Sequence, residues 1–105
     1  MRYRVPVTTQ SEFDVQLERT VNRLQTISLE KLSQGKRITD SRLIIQRLAD
    51  LALDATGVSR RLVPELSPAS LGDQLAVIGR QCAGLVDDMT REQLARELRD
   101  FRLTL

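Results

Sequence analysis

Apolar residues recur every three or four positions through most of this chain, which is the spacing that places side chains on one face of an α-helix. Ser11 is a candidate N-cap for the first such segment, with Asp14 three residues later as in a capping box and Thr8 or Thr9 as alternative caps. The pattern predicts a first helix from about residue 11 to 34, ended by Gly35. Its apolar stripe comprises Phe13, Leu17, Val21, Leu24, Ile27 and Leu32.

A second helix is predicted to begin at one of residues 39–41, all of which are capping types, and to end at Gly57. The chain from 58 to 63 then has room for only one or two turns, because Pro64 lacks an amide donor and clashes with the carbonyl four residues before it. We expect this helix to be the most buried one. Its apolar positions cover more than half of the circumference and are Leu43, Ile44, Ile45, Leu48, Leu51, Ala52 and Ala55.

Two further helices are predicted after Pro64. Ser67 followed by Pro68 is a strong start signal, because proline suits the first helical position. The apolar residues that follow are spaced in alternating steps of four and three, as in a packing seam, and are Leu71, Leu75, Ile78, Cys82, Leu85 and Met89. A last helix is predicted from Thr90, which begins another capping box, to about Arg102. Its inward positions are Leu94, Leu98 and Phe101.

Four main helices joined by short connections favour an all-α fold, a small antiparallel helical bundle. A chain of 105 residues has the length of one domain, so we expect a single helical-bundle domain over residues 1–105. The first ten residues differ from the rest. Tyr3, Val5 and Val7 alternate there with basic residues and a proline, which predicts an extended N-terminal arm over residues 1–10.

The composition excludes several classes of function. Without histidine or tryptophan, and with Cys82 as the single cysteine, the chain lacks the usual general base and the usual zinc ligands, so we expect no metal and no cofactor. The 16 basic residues face 14 acidic ones, which makes the surface mixed rather than strongly basic. No apolar run approaches the length of a signal peptide or a membrane span. We therefore expect a cytoplasmic protein that makes no membrane contact.

Residues 43–63 suggest one alternative, a nucleic-acid-associated regulator. Gly57-Val58-Ser59 after a helix is similar to the turn of helix-turn-helix proteins, and Arg60 and Arg61 would then face the groove of DNA. Leu53 stands where such motifs need a small residue, and Pro64 would stop a recognition helix after about one turn. We therefore expect any nucleic-acid or anion binding to be weak and to involve phosphate contacts. The candidate cations are Arg60, Arg61, Lys36, Arg37 and Arg42.

The leading hypothesis is a non-enzymatic interaction or oligomerisation module that binds a protein partner or a second copy of itself. Several apolar residues have no place on the predicted stripes, so we expect self-association as a homodimer. The residues expected to take part are Tyr3, Val5, Val7, Leu29, Leu53 and Val77. The second alternative is a small all-helical enzyme that binds a dianionic metabolite, although Arg19 and Arg23 lie off the first apolar stripe.

Overall fold

Five helices and one short 3₁₀ turn make up the computed structural model, which describes residues 11–105. They are α1 (Glu12–Thr26), α2 (Leu29–Leu32), α3 (Arg37–Thr56), the 3₁₀ turn (Pro68–Ser70), α4 (Leu71–Ala83) and α5 (Asp88–Arg102). No strand occurs among these described residues, and the predicted all-α, bundle-like fold is confirmed. The predicted arm of residues 1–10, with Tyr3, Val5 and Val7, lies outside the described residues.

The first predicted helix is interrupted at Ile27. Ser11 caps α1 as expected, with its Oγ accepting from the Asp14 amide at 3.2 Å. Ile27 and Ser28 then adopt extended backbone, and Ser28 caps α2 by accepting from the Lys31 amide at 3.1 Å. The prediction of one continuous helix over 11–34 was wrong because the Ser28 cap offers the backbone a competing arrangement, while Ile27 keeps its buried position on the apolar stripe.

The bounds of α3 differ from the prediction at its start and agree at its end. Gly35 has a φ of 61° as expected, but α3 begins at Arg37, before the predicted caps. Ser41 is therefore buried inside the helix, where its hydroxyl donates to the Arg37 carbonyl at 2.6 Å. Gly57, with a φ of 74°, closes the helix, and the Val58 amide donates to the Leu53 carbonyl at 3.0 Å in the hydrogen-bond pattern of a left-handed glycine end.

The predicted seam through Leu85 and Met89 was wrong in its second half. Helix α4 ends at Ala83, and both of those side chains are exposed, Met89 by 81%. Asp87 starts α5 by accepting from the Thr90 amide at 2.8 Å, three residues before the predicted cap. Leu71, Leu75 and Cys82 of the seam are buried as expected, whereas Ile78 is half-buried. The three inward residues of α5 are also buried as expected.

Helix directions follow from the residues that meet across each interface. Gly72 of α4 lies beside Gln25, and Gly79 lies beside Leu17, so α1 and α4 are antiparallel. Helix α1 also packs on α5, with the Thr20 hydroxyl near the Leu98 carbonyl. Helix α3 packs mainly on α4 and runs in the same direction, because grooves between these two helices pair residues 45 and 46 with Gln74 and residues 52 and 53 with Ile78.

Two glycines inside α4 allow a close approach to α1. A Cβ at Gly79 would lie 2.5 and 2.8 Å from the two terminal methyl carbons of Leu17, and a Cβ at Gly72 would lie 2.7 Å from Cγ of Gln25. Ala76, buried between them, continues this surface of small residues. Leu17 is itself buried, so a larger residue at position 79 would force a core side chain to move.

We expect Gly79→Ala to lower the free energy of unfolding by up to about 2 kcal/mol, because overpacking against Leu17 costs about 1–3 kcal/mol and helix propensity returns only roughly 1 kcal/mol. Urea denaturation followed by circular dichroism measures this change. Gly84→Ala is the matched control, since a Cβ there meets nothing closer than 3.8 Å. The control should be neutral or stabilise by about 0.4–1 kcal/mol, and equal effects of the two changes would contradict the packing argument.

Candidate interaction surface

Residues 58–67 form an extended connection between α3 and α4, called the return segment below. Since α3 and α4 run in the same direction, the chain must travel back along α3 before α4 can start. The contacts of this segment run backwards along α3, from Asp54 beside Arg60 to Arg42 beside Leu66. Twelve helical residues span about 18 Å and ten extended residues reach about 33 Å, so the segment is long enough for this path.

The side chain of Gln46 holds the middle of the return segment. Its Nε2 donates to the Arg61 carbonyl at 2.9 Å, and its Oε1 accepts from the Val63 amide at 2.8 Å. The same Nε2 donates to Asp50 Oδ1 at 2.9 Å, which fixes the amide in this orientation. One glutamine therefore pairs with the backbone of two alternate residues, as a neighbouring strand would.

Two further side chains hold the later part of the return segment. Arg42 donates from Nη2 to the Leu66 carbonyl at 2.8 Å, and Gln74 of α4 donates from Nε2 to the Pro64 carbonyl at 2.8 Å. The half-buried Val63 packs against the core. The segment thus has a fixed path over α3 and α4, although it contains no backbone ladder of its own.

This path leaves Leu43 of α3 and Leu62 of the return segment exposed on one groove, by 62% and 90% respectively. The groove has a volume of about 550 Å³, and its apolar lining also includes Ile45, Val63 and Pro64. We call these five residues the α3 face. The expectation that the second helix is the most buried one was wrong, because its apolar arc is wider than the interface that α4 covers.

Arg60, the first candidate for DNA contact, is held by carboxylates of α3. Its Nε and Nη2 atoms lie 3.0 and 2.7 Å from the two carboxylate oxygens of Asp54, and Nη1 lies 3.8 Å from Asp50 Oδ2. The hydrogen bond from Arg60 lowers the pKa of Asp54 and raises the pKa of the Arg60 guanidinium. Residues 58–67 contain no helix, so the expected turn or two after Gly57 is not formed and no recognition helix follows α3 there.

The remaining predicted cations are not gathered into one site. Arg42 lines the groove of the α3 face, whereas Arg61 lines a second groove of about 410 Å³ on the other side of Leu62. Arg37 donates to the Gln34 carbonyl at 3.3 Å, and Lys36 is the N-cap residue of α3 without a side-chain cap bond. Both therefore lie at the positive end of the α3 dipole, which does not stabilise them.

The residues predicted for self-association are spread over separate elements. Leu29 of α2 and Val77 of α4 are more than half exposed, as expected. Leu53 is half-buried and lines the second groove with Ile78, apart from the groove that Val77 lines. The exposure of Leu43 and Leu62 was not predicted, because Leu43 belongs to the broad apolar arc of α3 and the exposure of Leu62 depends on the path of the return segment.

The described residues give little support for a reactive thiol, a dianion site or a metal site. Cys82 is fully buried, and burial raises the pKa of its thiol, although the charge of Arg47 opposes this shift. The groove between α1 and α5 has two arginines, Arg96 and Arg99, but two glutamates also line it, which leaves no excess of positive charge for a dianion. Residues 11–105 contain no cluster of three metal-ligating side chains. None of the helices in that range combines the length and the apolar character required to cross a membrane.

No protein-family model matches the chain, and no match is found among curated proteins or solved structures. The most distinctive arrangement of the described residues is the pair of exposed leucines on a groove whose walls are fixed by hydrogen bonds.

We expect Gln46→Ala to loosen the return segment, because the Arg61 carbonyl and the Val63 amide lose their partner at a half-buried position. The free energy of unfolding should fall by about 1–3 kcal/mol. Hydrogen exchange of the Val63 amide should also accelerate. Gln93→Ala on the exposed side of α5 is the control, with an expected change within about 0.5 kcal/mol. Unchanged exchange at Val63 would show that Gln46 does not hold the segment.

We expect the Cys82 thiol to be inert in the folded protein, since it is fully buried and its raised pKa leaves little thiolate at neutral pH. Titration with a chromogenic disulfide reagent at pH 7 measures the reaction. Labelling should proceed only as fast as the protein opens, and stoichiometric labelling should be rapid in denaturant. Rapid labelling of the native chain would show that Cys82 is accessible.

Proposed function

We propose that the protein is a non-enzymatic interaction module of the cytoplasm that pairs with a second copy of itself through the α3 face. The observation that carries this proposal is the exposure of Leu43 and Leu62, which line the same groove. A single exposed leucine is ordinary on a protein surface, but two that flank an apolar groove are a candidate contact site.

The rigidity of the groove supports the proposal. Leu62 is carried by a backbone that Gln46 and Gln74 hold on either side of it, so its exposure comes from the path of the chain rather than from a loose loop. A surface that is already ordered loses less conformational entropy when a partner binds. The polar residues around it, Arg42 and Glu65 among them, carry opposite charges and do not repel a second copy.

Two-fold symmetry suits this arrangement of leucines. In a symmetric pair each contact between two different residues occurs twice, so Leu43 of each copy can contact Leu62 of the other. Burying a leucine side chain contributes about 1.5–3 kcal/mol, and association costs at least about 4 kcal/mol in lost freedom. Four leucines in one interface therefore give a net of at most about 8 kcal/mol, which corresponds to a dimer that forms at micromolar concentrations or above.

Sedimentation equilibrium from 1 to 100 µM tests the proposal, with a dimer mass expected for the full chain at tens of micromolar. Leu62→Asp should weaken the dimer at least tenfold, because it places a charge in the apolar interface. Leu103→Asp is the control, since Leu103 is 73% exposed and lies outside the α3 face. A monomer at every concentration, or equal effects of the two substitutions, would refute self-association through this face.

A further inference from the structure

A second open groove lies between α1 and α4 and has a volume of about 590 Å³. The buried residues Leu17, Val21 and Ala76 form its apolar floor. Val77 stands beside this floor and is 58% exposed. The groove shares no lining residue with the α3 face, so the proposed dimer does not account for it.

The rim of this groove has an excess of negative charge. Among the residues from 11 onwards that line it, Asp14, Glu18 and Asp73 are acidic and only Arg80 is basic. Within residues 11–105 none of the four takes part in an ion pair, and Asp73 accepts a hydrogen bond from Gln25 at 2.8 Å. An occupant with apolar side chains and positive charge would complement both the floor and the rim.

The chain itself has such a segment shortly before α1 in the sequence. Residues 1–7 contain Arg2 and Arg4, no carboxylate, and the apolar residues Tyr3, Val5 and Val7 at alternate positions. We propose that residues 1–7 bind in extended form along the groove between α1 and α4 of the same chain. In an extended segment alternate side chains point to opposite sides, so the three apolar residues can contact the floor while the arginines meet the rim carboxylates.

The length of the segment fits the groove. Helix α1 starts just after Ser11, and the groove begins at Asp14, so a turn within residues 8–10 would bring Val7 to the level of Asp14. Two extended residues cover about 6.6 Å, which equals four to five residues of helix, so Val5 would lie level with Glu18. Gly79 lies beside Leu17, which puts Val77 of α4 near this level as well.

Attachment favours the same chain over a second copy as the source of the segment. Only residues 8–10 separate Val7 from the N-cap of α1, and a linker this short gives an effective concentration in the millimolar range. A second copy at micromolar concentration would compete poorly for the same groove.

Disulfide trapping in the full chain tests the proposal. Val5→Cys combined with Val77→Cys should form an intrachain disulfide under mild oxidation at low micromolar concentration, at least tenfold faster than Val5→Cys combined with Leu103→Cys. Leu103 is at least as exposed as Val77 but lies outside the groove, and Cys82 is buried and stays reduced. Equal rates for the two pairs, or disulfide-linked dimers in place of the intrachain product, would overturn the proposal.

Charge exchange separates recognition from simple proximity. Adding Glu18→Arg and Asp73→Arg to the Val5→Cys and Val77→Cys pair should slow trapping at least fivefold, because the arginines that replace the two rim carboxylates repel Arg2 and Arg4. Adding Arg2→Glu and Arg4→Glu as well should restore the rate. If neither exchange changes the trapping rate, the rim charges do not select the segment, and this result would also overturn the proposal. Sedimentation of the α3-face variants is unaffected by either result, so the two proposals fail separately.

Discussion

The parallel direction of α3 and α4 is the constraint on which the candidate surface depends. A connection between antiparallel helices can be a short turn, but parallel neighbours require a segment that returns along the first helix. Its backbone groups must find hydrogen-bond partners where they are withdrawn from water. Gln46, Arg42 and Gln74 supply those partners. The alternate side chains that do not face α3 are exposed to the solvent.

Helix α4 packs on both α1 and α3, as α1 packs on both α4 and α5. The small residues Gly72, Ala76 and Gly79 bring α1 close to its axis, which is tighter packing than larger side chains permit. Leu71 and Leu75 fill the core with no exposed surface. The two grooves flank this helix, so their shapes depend on how closely α1 and the return segment approach it.

Periodicity and capping residues predicted most helices, because both act over a few residues. Ser11 as a cap and Gly57 as an end were confirmed on such local grounds. The break at Ile27 was missed because the apolar stripe continues across it, so the pattern of burial is the same with or without the break. The glycines of α4 did carry a signal, since glycine inside a helix is unfavourable unless close packing requires it.

The candidate site was harder to predict because its parts meet only in the folded chain. Nothing local distinguishes Leu43 from the buried leucines of α3, and the exposure of Leu62 follows from a path that Gln46 determines 16 residues earlier in the sequence. Val77 was identified because it lies off the stripe of its own helix. Residues whose exposure is set within one helix were thus predictable, whereas those set by packing between elements were not.

The two grooves differ in the interactions that they offer to an occupant. The α3 face is apolar with balanced charges at its rim, so contact there depends on removing leucines from water and changes little with salt. The groove between α1 and α4 has a narrow apolar floor and three rim carboxylates, so an occupant gains much of its specificity from charge. Since the two grooves share no lining residue, an occupant of one groove does not cover the residues of the other.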